Sequence, residues 1–378
     1  MLKLRLILLI IFTTIAVIIG TFWFRVNNLS NSDLSVYLFS DKNADVEIVN
    51  TNYEESLRFE NINEKEPLPQ ESLKFLFFGD IMLDRYVETI LEESSVTGLL
   101  ANLKDTEKSI FSNKDIIGAN LEGVVTNDGA HYNPVNKFDF AFSIEKVNKL
   151  KDYNFNYFSL ANNHFFDQGS RGIMESRENL KKSGFYYSGS PNAQVDSNSK
   201  YIIEIKGKKA AMISLSMVYK YFDIDDALSL VKQAALETDL VVVNIHWGDE
   251  YEHSFNIYQK EVGRSLIDAG ADIIIGHHPH VVQGLEIYKG RPIFYSLGNF
   301  IFDQYFSPDT QKGLALEILY SEDIISINLL PFKSHQSAPT FMQGEEKKIF
   351  LQKFSNWSSA ESEILEEVKG GVLEILIR

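Results

Sequence analysis

Five apolar runs, each closed by polar residues, constrain the fold of this chain more than any other feature. They are rich in Leu, Ile, Val and Phe, which is typical of strands buried on both faces. Segments with helical spacing lie between them, and two of these, 170–184 and 258–270, end at a glycine as helices commonly do. Alternating buried strands and helices predict a layered α/β fold. The runs are LKFLFFGD (73–80), DIIGANLEG (115–123), NYFSLANNH (156–164), DLVVVNIHWG (239–248) and ADIIIGHH (271–278).

Each of these strands places Asp, Glu, Asn or His at its carboxyl end. In open α/β sheets ligands bind beyond that edge, so we expect these side chains to converge. Together they suit a mixed oxygen and nitrogen site for Mn, Fe or Zn. The chain contains no cysteine, which excludes thiolate ligands and thiol nucleophiles. The residues concerned are Asp80, Asn120, Glu122, Asn162, Asn163, His164, His246, His278 and His280.

Taken singly, several of these residues have an ordinary structural explanation. Asp80 could cap a helix beginning near Met82, and Asn162-Asn163 could form a turn. His246, beside Trp247, could be a structural histidine. These alternatives stay open for each residue by itself, whereas the ordered set favours a metal site.

His278 and His280 are the strongest metal candidates. Their i, i+2 spacing predicts that both imidazoles point to one side of an extended strand end, with Pro279 fixing the backbone between them. His277 would point the opposite way if the strand persists, so its role is ambiguous.

The acidic balance of the chain bears on its partners. Its formal net charge is −16, which repels a phosphate backbone and argues against nucleic acid as a partner. Hydrophobic residues make up 44% of 378, enough for a sizeable core in one large or two ordinary domains. Neither a glycine-rich phosphate loop nor a serine in a nucleophile elbow is present in the sequence.

The first 25 residues predict an uncleaved membrane anchor. Lys3 and Arg5 precede an uncharged apolar run, 6–24, which as a helix would be roughly 28 Å long and close to the thickness of a bilayer core. The alternative is a cleaved signal peptide. The positive charges predict a cytoplasmic N-terminus, so that a single-pass protein would carry its main domain outside the cell membrane. A polar stalk (26–70), a main domain (71–332) and a C-terminal extension packing on it (333–378) would follow.

The chain carries six longer motifs in this order: FFGDIML, ANLEG, LANNHFFDQG, NIHWGDEY, GADIIIGHHPHVVQGLE and IFYSLGNFIFDQ. Together they resemble the CapA (PgsA) family of bacterial poly-γ-glutamate capsule synthesis, within the calcineurin-like metallophosphoesterase superfamily. The resemblance covers about 75–304. It implies a four-layer metallophosphoesterase sandwich, with mixed β-sheets flanked by helices, after an N-terminal transmembrane helix. It also implies one or two divalent metal ions.

The resemblance implies a role for each matched residue. His164 resembles the histidine that contacts the phosphate or protonates the leaving group. An acid usually follows it, but Phe165 stands there, so Asp167 is the candidate to orient the imidazole. The implied ligands are Asp80 and His280 for a first metal, Glu122 as the bridging carboxylate, and Asn163, His246 and His278 for a second metal.

The sequence also departs from the superfamily pattern. Met82 stands where the usual Asp-x-His motif has its histidine, so the first metal loses an imidazole. A single-metal site or a weak first site is therefore a hypothesis. Three polar residues are candidates for the substrate side of the cleft: Asn120, Asn299 and Asp303. For Asn299 and Asp303 a tight turn after a strand is the alternative.

Two classes of function stay open. The first is a membrane-anchored, extracytoplasmic, metal-dependent hydrolase or transferase, phosphoesterase-like, acting on a polyanionic polymer or a phosphoester. The second is a non-catalytic scaffold or export component of a polyglutamate synthase complex with a vestigial metal site. The resemblance implies the membrane and other polyglutamate synthase components, similar to CapB and CapC, as partners.

Overall fold

Seventeen strands and seven α-helices follow one another in the computed structural model, which describes residues 72–103, 110–135, 137–218 and 221–377. The predicted anchor (1–25) and stalk (26–70) lie outside the described residues and stay predictions. Within the described ranges no helix is long and apolar enough to cross a membrane.

Strands and helices are interspersed up to residue 277, with one antiparallel hairpin at 200–216, and further hairpins follow. The strands are β1 (Leu73–Ile81), β2 (Ile116–Leu121), β3 (Val124–Thr126), β4 (Ala141–Ser143), β5 (Tyr157–Ser159), β6 (Tyr186–Ser188), β7 (Lys200–Ile205), β8 (Lys208–Ser216), β9 (Leu240–His246), β10 (Ile273–His277), β11 (Val282–Tyr288), β12 (Arg291–Leu297), β13 (Asn299–Ile301), β14 (Lys312–Tyr320), β15 (Ile324–His335), β16 (Ala338–Phe341) and β17 (Val372–Leu376). The α-helices are α1 (Arg85–Leu99), α2 (Ile144–Asn148), α3 (Gly169–Lys182), α4 (Ile224–Glu237), α5 (Ile257–Asp268), α6 (Gly344–Trp357) and α7 (Ser362–Gly370).

Local chemistry explains where two of the helices begin. The side chain of Asp223 accepts hydrogen bonds from the first backbone N–H groups of α4. Asn256 and Gln259 form a reciprocal capping box at the start of α5. Asp80 caps no helix, because it lies in β1 and α1 begins only at Arg85. The alternative that Asp80 caps a helix near Met82 is therefore wrong.

Two mixed sheets form the framework. The larger has the order β16-β15-β14-β1-β2-β5-β6, with β13 added beside β1 and β17 beside β15. Its strands β1, β2, β5 and β6 run parallel, while β14 to β17 are antiparallel. The smaller sheet has the order β11-β12-β10-β9-β8-β7, and its four central strands are parallel. Strands β3 and β4 form a separate parallel pair.

Three buried apolar clusters show that the sheets and helices form layers. The inner faces of the two sheets pack on each other, for example through Phe75 and Phe77 of β1 and Val242 of β9. The outer face of the larger sheet is covered by α1 and α3. The outer face of the smaller sheet is covered by α4 and α5. The predicted arrangement of mixed sheets flanked by helices is confirmed.

The segment after residue 332 is part of the larger sheet. Strand β15 runs from Ile324 to His335, so the boundary predicted between 332 and 333 falls inside a strand. Strand β17 pairs with β15 from Asn328 to Ile324. Side chains of α6, among them Phe350 and Phe354, are buried in the cluster between the sheets. The C-terminal residues therefore complete the sheet and its core.

A close backbone approach fixes the end of β1. A Cβ atom at Gly79 would lie 1.8 Å from the carbonyl oxygen of Gly298, well inside the contact limit. The next residue, Asp80, donates its N–H to that same oxygen at 3.0 Å. The absence of a side chain at position 79 therefore lets β1 meet the turn before β13 and sets the position of Asp80.

Candidate metal centre

Asp80 and Glu122 lie at the ends of the neighbouring parallel strands β1 and β2, and Asn120 joins them. The Asn120 amide nitrogen lies 2.9 Å from Asp80 Oδ1 and 3.2 Å from Glu122 Oε2. Its amide oxygen accepts a hydrogen bond of 3.1 Å from Asn162 Nδ2. Asn120, predicted on the substrate side, is fully buried. It holds the two carboxyl groups in one orientation.

The smaller sheet contributes the histidines. Strands β9 and β10 pair in parallel with His246 opposite His277 at their ends. His246 Nε2 lies 2.7 Å from the amide oxygen of Asn163, which follows β5 in the larger sheet. The rings of His246 and His278 have centroids 4.7 Å apart. The site is therefore built from both sheets.

The predicted extended strand end at His278 and His280 is wrong in its backbone, because β10 ends at His277. His278 has φ 98° and His280 has φ 58°, so both are left-handed, a conformation that side chains other than glycine rarely adopt. The two rings still share one side, with centroids 5.9 Å apart. Such backbone strain concentrates at functional sites.

His277 also reaches the site. Its Nδ1 lies 3.3 Å from Asp80 Oδ1 but is not aligned for a hydrogen bond. Its Nε2 lies 3.5 Å from the amide oxygen of Asn244. The sequence left its direction open, and the structure places it against Asp80.

Three buried atoms at this place have no hydrogen-bond partner among the described residues: Glu122 Oε1, His277 Nδ1 and His278 Nδ1. Each such group costs about 1–3 kcal/mol when it stays unpaired. Two imidazole nitrogens face Glu122 Oε1 at distances too long for hydrogen bonds, 3.7 Å from His280 Nε2 and 3.8 Å from His164 Nε2. Ligands of one Zn²⁺ lie about 2.0–2.1 Å from the ion, which permits such separations between donors. The donors therefore fit a divalent cation.

Two sets of three donors each have all their ligand atoms within 4.8 Å of one another. One is Asp80, Glu122 and His246; the other is Glu250, His278 and His280. We call these six residues the carboxylate–histidine cluster. Glu250 was not among the predicted ligands, although its position four residues after His246 in HWGDE was a usable signal.

Met82 occupies the position where the superfamily pattern has a histidine. Its side chain is buried, and its sulfur accepts the backbone N–H of Asp84 at 3.1 Å. The thioether thus stabilises the turn between β1 and α1. A thioether is a soft ligand that does not replace an imidazole for Mn.

His164 stands beside the cluster with one nitrogen fixed. Its Nδ1 lies 2.7 Å from Asp167 Oδ2, which also accepts the backbone N–H of Phe140 at 2.8 Å. The ring packs on Phe140 with centroids 4.0 Å apart. In the tautomer in which Nδ1 donates its N–H to Asp167, the other ring nitrogen is free of this contact. That nitrogen, Nε2, faces Glu122 and the cleft. The structure thus brings together the two residues predicted as catalytic.

Burial and close charges shift the proton affinities of the cluster. Burial opposes ionisation of Asp80, but His277 and His280 outweigh it and hold the pKa of Asp80 well below its usual value. Burial raises the pKa of Glu122 to about 7. Burial, aided by neighbouring imidazoles, lowers the pKa of His278 to about 4 and holds that of His246 well below its usual value. Burial also opposes the charge of His280, but Glu122 and Asp80 raise its pKa to about 9.

Metal binding is therefore expected to release protons. A cation displaces the proton of Glu122, whose raised pKa keeps it protonated below about 7, and that of His280, which stays protonated up to about 9. We expect about two protons per ion near pH 6, about one near pH 8, and an affinity for Mn²⁺ that rises with pH. Calorimetric titration in buffers of different ionisation enthalpy measures this number. In Glu122→Gln the number of protons released should be the same at pH 6 and pH 8. Equal release at both values in the unchanged chain would show that Glu122 does not lose a proton on metal binding.

A cleft of about 660 Å³ opens onto the cluster. Glu122, Asn163, His164 and His280 reach its wall. Of the residues predicted on the substrate side, Asp303 lines this cleft. Asn299 is buried, and its amide oxygen lies 2.9 Å from His280 Nδ1.

Comparisons with known proteins show a matching family model and similar sequences. The family model described as "Bacterial capsule synthesis protein PGA_cap" matches residues 74–304. "PGA biosynthesis protein CapA" of Bacillus subtilis (strain 168) is 31% identical over 286 residues, which cover 72% of this chain and 74% of that protein. "Capsule biosynthesis protein CapA" of Bacillus anthracis is 29% identical over 288 residues, covering 71% of this chain and 69% of that protein.

Likeness among solved structures is weaker. A putative 5′-nucleotidase from Staphylococcus aureus, solved in complex with alpha-ketoglutarate, is 12% identical. The match covers 76% of this chain and 58% of that one, with a TM-score of 0.40. A score this low supports no conclusion about fold or function.

Proposed function

The chain belongs to the bacterial capsule synthesis protein family PGA_cap, and we propose that it acts in poly-γ-glutamate synthesis as a metal-dependent hydrolase or transferase. The names of its relatives, both biosynthesis proteins, support the role in synthesis. The other components of a polyglutamate synthase are its proposed partners. A membrane anchor at 1–25 and an extracytoplasmic main domain are part of the proposal.

The carboxylate–histidine cluster would hold the metal, which is Mn, Fe or Zn in one or two positions. The unpaired buried atoms of Glu122 and His278 support this. Such an ion supplies positive charge that stabilises negative charge developing on a substrate oxygen. Asn163, through its contact with His246, lies where it can join the ligands.

One observation carries the catalytic proposal. His164 has Nδ1 fixed by Asp167, while its Nε2 points at the unpaired oxygen of Glu122 in an open cleft. A histidine placed in this way can donate a proton to a leaving group of a substrate bound at the cluster. Asp167 keeps the imidazole in the required tautomer and orientation.

Replacing His164 with alanine is expected to remove activity and leave metal binding in place. General acid catalysis contributes about 10²–10⁴-fold, so polymer output from a strain that depends on this chain should fall at least about 10-fold. Asp167→Asn should lower output less, because the imidazole remains but loses its orientation. Metal content of the purified variants, measured by elemental analysis, should equal that of the unchanged chain.

The exposed His335 of β15 offers a matched control, and His335→Ala should leave polymer output unchanged.

The alternative function, a scaffold or export component with a vestigial site, is favoured by Met82, which stands where an imidazole would otherwise join the cluster. Undiminished output from a folded, metal-containing His164→Ala chain would establish that alternative over catalysis.

A further inference from the structure

Arg85 is held rigidly at the mouth of the cleft. Its Nε donates to Asp303 Oδ2 at 3.1 Å, and its Nη2 donates to Asp303 Oδ1. This two-point pairing fixes the guanidinium plane. The Asp303 side chain is only 8% exposed, whereas that of Arg85 is 32% exposed. The pair therefore has a buried carboxylate behind and an accessible guanidinium in front.

Aromatic rings fix the same guanidinium from the side. Its central carbon lies 4.7 Å from the ring centre of Phe140 and 5.9 Å from that of Phe302. Arginine stacks well on aromatic faces, and such contacts orient it without using its N–H groups. Of its five N–H donors, the structure shows only those on Nε and Nη2 bonded within the described residues. The Nη1 side stays available to an incoming acceptor.

The backbone at Arg85 is strained. Its φ is 53°, in the left-handed region that favours glycine, although it is the first residue of α1. Asp84 Oδ1 accepts its backbone N–H at 2.6 Å and steadies this conformation. Strain of about 1–3 kcal/mol persists where surrounding contacts hold it, and it clusters at ligand-binding positions. Here the strained backbone directs the guanidinium of Arg85 into the cleft.

The guanidinium of Arg85, paired on one side with Asp303, lies among acids and imidazoles. Among the described residues that line the cleft, it is the only arginine or lysine, and it shares that wall with Glu122, His164 and His280. The whole chain carries a net charge of −16. A polyanion therefore meets repulsion over most of the surface, and Arg85 offers it a fixed partner beside the cluster.

Three exposed aromatic side chains also line the cleft. Phe138, Tyr251 and Phe306 expose 60%, 42% and 68% of their surface there. The rings of Tyr251 and Phe306 meet edge to face, 5.2 Å apart. Exposed apolar surface of this kind marks a place where a ligand or partner packs. A ligand that combines carboxylates with methylene groups matches both the cation and the rings.

We propose that Arg85 binds a side carboxylate of a γ-linked glutamyl chain and so places a backbone amide of that chain beside His164 and the carboxylate–histidine cluster. This assignment rests on the proposed function and adds to it the residue that positions the polymer. Each γ-linked residue carries one carboxylate and two methylene groups. The carboxylate pairs with the free N–H groups of Arg85, and the methylene groups pack on Phe138 and Phe306.

Calorimetric titration of a short γ-glutamyl oligomer into the purified full chain, with and without Mn²⁺, tests this inference. Arg85→Gln should weaken oligomer binding at least 10-fold. The affinity of Arg85→Lys, whose ammonium group lacks the planar guanidinium, should lie between those of Arg85→Gln and the unchanged chain. The double variant Arg85→Gln/Asp303→Asn removes both charges, keeps the interior neutral and should lose binding as well. Arg171→Gln removes an equal charge from the exposed side of α3, where Arg171 pairs with Glu175, and should leave binding unchanged.

Several results would overturn the inference. Oligomer binding by Arg85→Gln with the affinity of the unchanged chain is one, and no binding to the unchanged chain is another. Loss of inorganic phosphate binding without loss of oligomer binding would assign Arg85 to a phosphate instead. The metal content of each sample, measured separately after incubation with Mn²⁺, Fe²⁺ or Zn²⁺, tests the proposed function. Arg85-dependent oligomer binding in a chain that takes up none of the three would sustain the inference and refute the metal-dependent activity.

Discussion

Replacing His278 and His280 together with alanine is expected to reduce bound metal from near one ion per chain to traces. The change removes both imidazoles from one set of donors and leaves Glu250, which is exposed, as its remaining member. Loss of a single outer-shell partner already costs about 10–100-fold in metal affinity, so loss of two direct ligands should exceed about 100-fold. Elemental analysis of the purified chain after incubation with Mn²⁺ and removal of free ions measures the result.

His335→Ala serves as the control here too, because it removes an imidazole from the exposed part of β15. Both variants should remain folded by circular dichroism, but the double variant should unfold at a lower temperature than the metal-free chain, because His278 and His280 are buried and the ring of His280 lies 4.9 Å from that of Phe302. A double variant that keeps near-stoichiometric metal would place the ion elsewhere and remove the basis for the carboxylate–histidine cluster.

Gly79→Ala is expected to destabilise the fold by about 3 kcal/mol or more, as overpacking against backbone does at its upper limit. The new Cβ would lie 1.8 Å from the Gly298 carbonyl oxygen, a backbone atom that cannot rotate away. Relief requires β1 to move from the turn before β13, which breaks the hydrogen bond from Asp80 N to Gly298 O. Urea unfolding followed by circular dichroism measures the free energy of unfolding, and metal affinity should fall with it.

The same substitution at Gly370 isolates the effect of the contact. Nothing lies within 4 Å of a Cβ built at this last residue of α7. Alanine favours helix over glycine by about 1 kcal/mol at interior positions, so Gly370→Ala should change stability by at most that amount and in the stabilising direction. Equal stability of Gly79→Ala and the unchanged chain would show that β1 and its neighbouring turn adjust freely.

Much of the fold follows from sequence because the apolar runs are long and regular. Each of the five predicted strands overlaps an observed strand, and the helices predicted at 170–184 and 258–270 correspond to α3 and α5. The packing of the C-terminal region was harder to predict from the sequence. Helix α6 has few apolar residues, and its burial depends on contacts with the core between the sheets. Sequence spacing does not show contacts between segments so far apart in the chain.

The candidate site was accessible from sequence where residues follow strands directly. Asp80, Glu122, His246, His278 and His280 converge because parallel strands end at a common edge. Backbone direction was not accessible in this way. The left-handed conformations of His278 and Arg85 arise from surrounding contacts, and neither has the glycine or asparagine that usually announces them. Glu250 was not predicted as a metal ligand and Arg85 was not predicted as a site residue, because Glu250 lies in the loop after β9 and Arg85 begins α1, so that neither directly ends a strand.

Some residues of the site lie on strands and others on loops, and this difference bears on how such a protein can diverge. Asp80 and His246 are the last or nearly last residues of strands whose ladders fix them. Phe138, Tyr251 and Phe306 belong to connecting segments outside the strands. Loops accept insertions and substitutions that strands do not. Descendants of this chain can therefore change the aromatic side chains of the cleft while keeping Asp80 and His246, the two members of the carboxylate–histidine cluster that lie within strands.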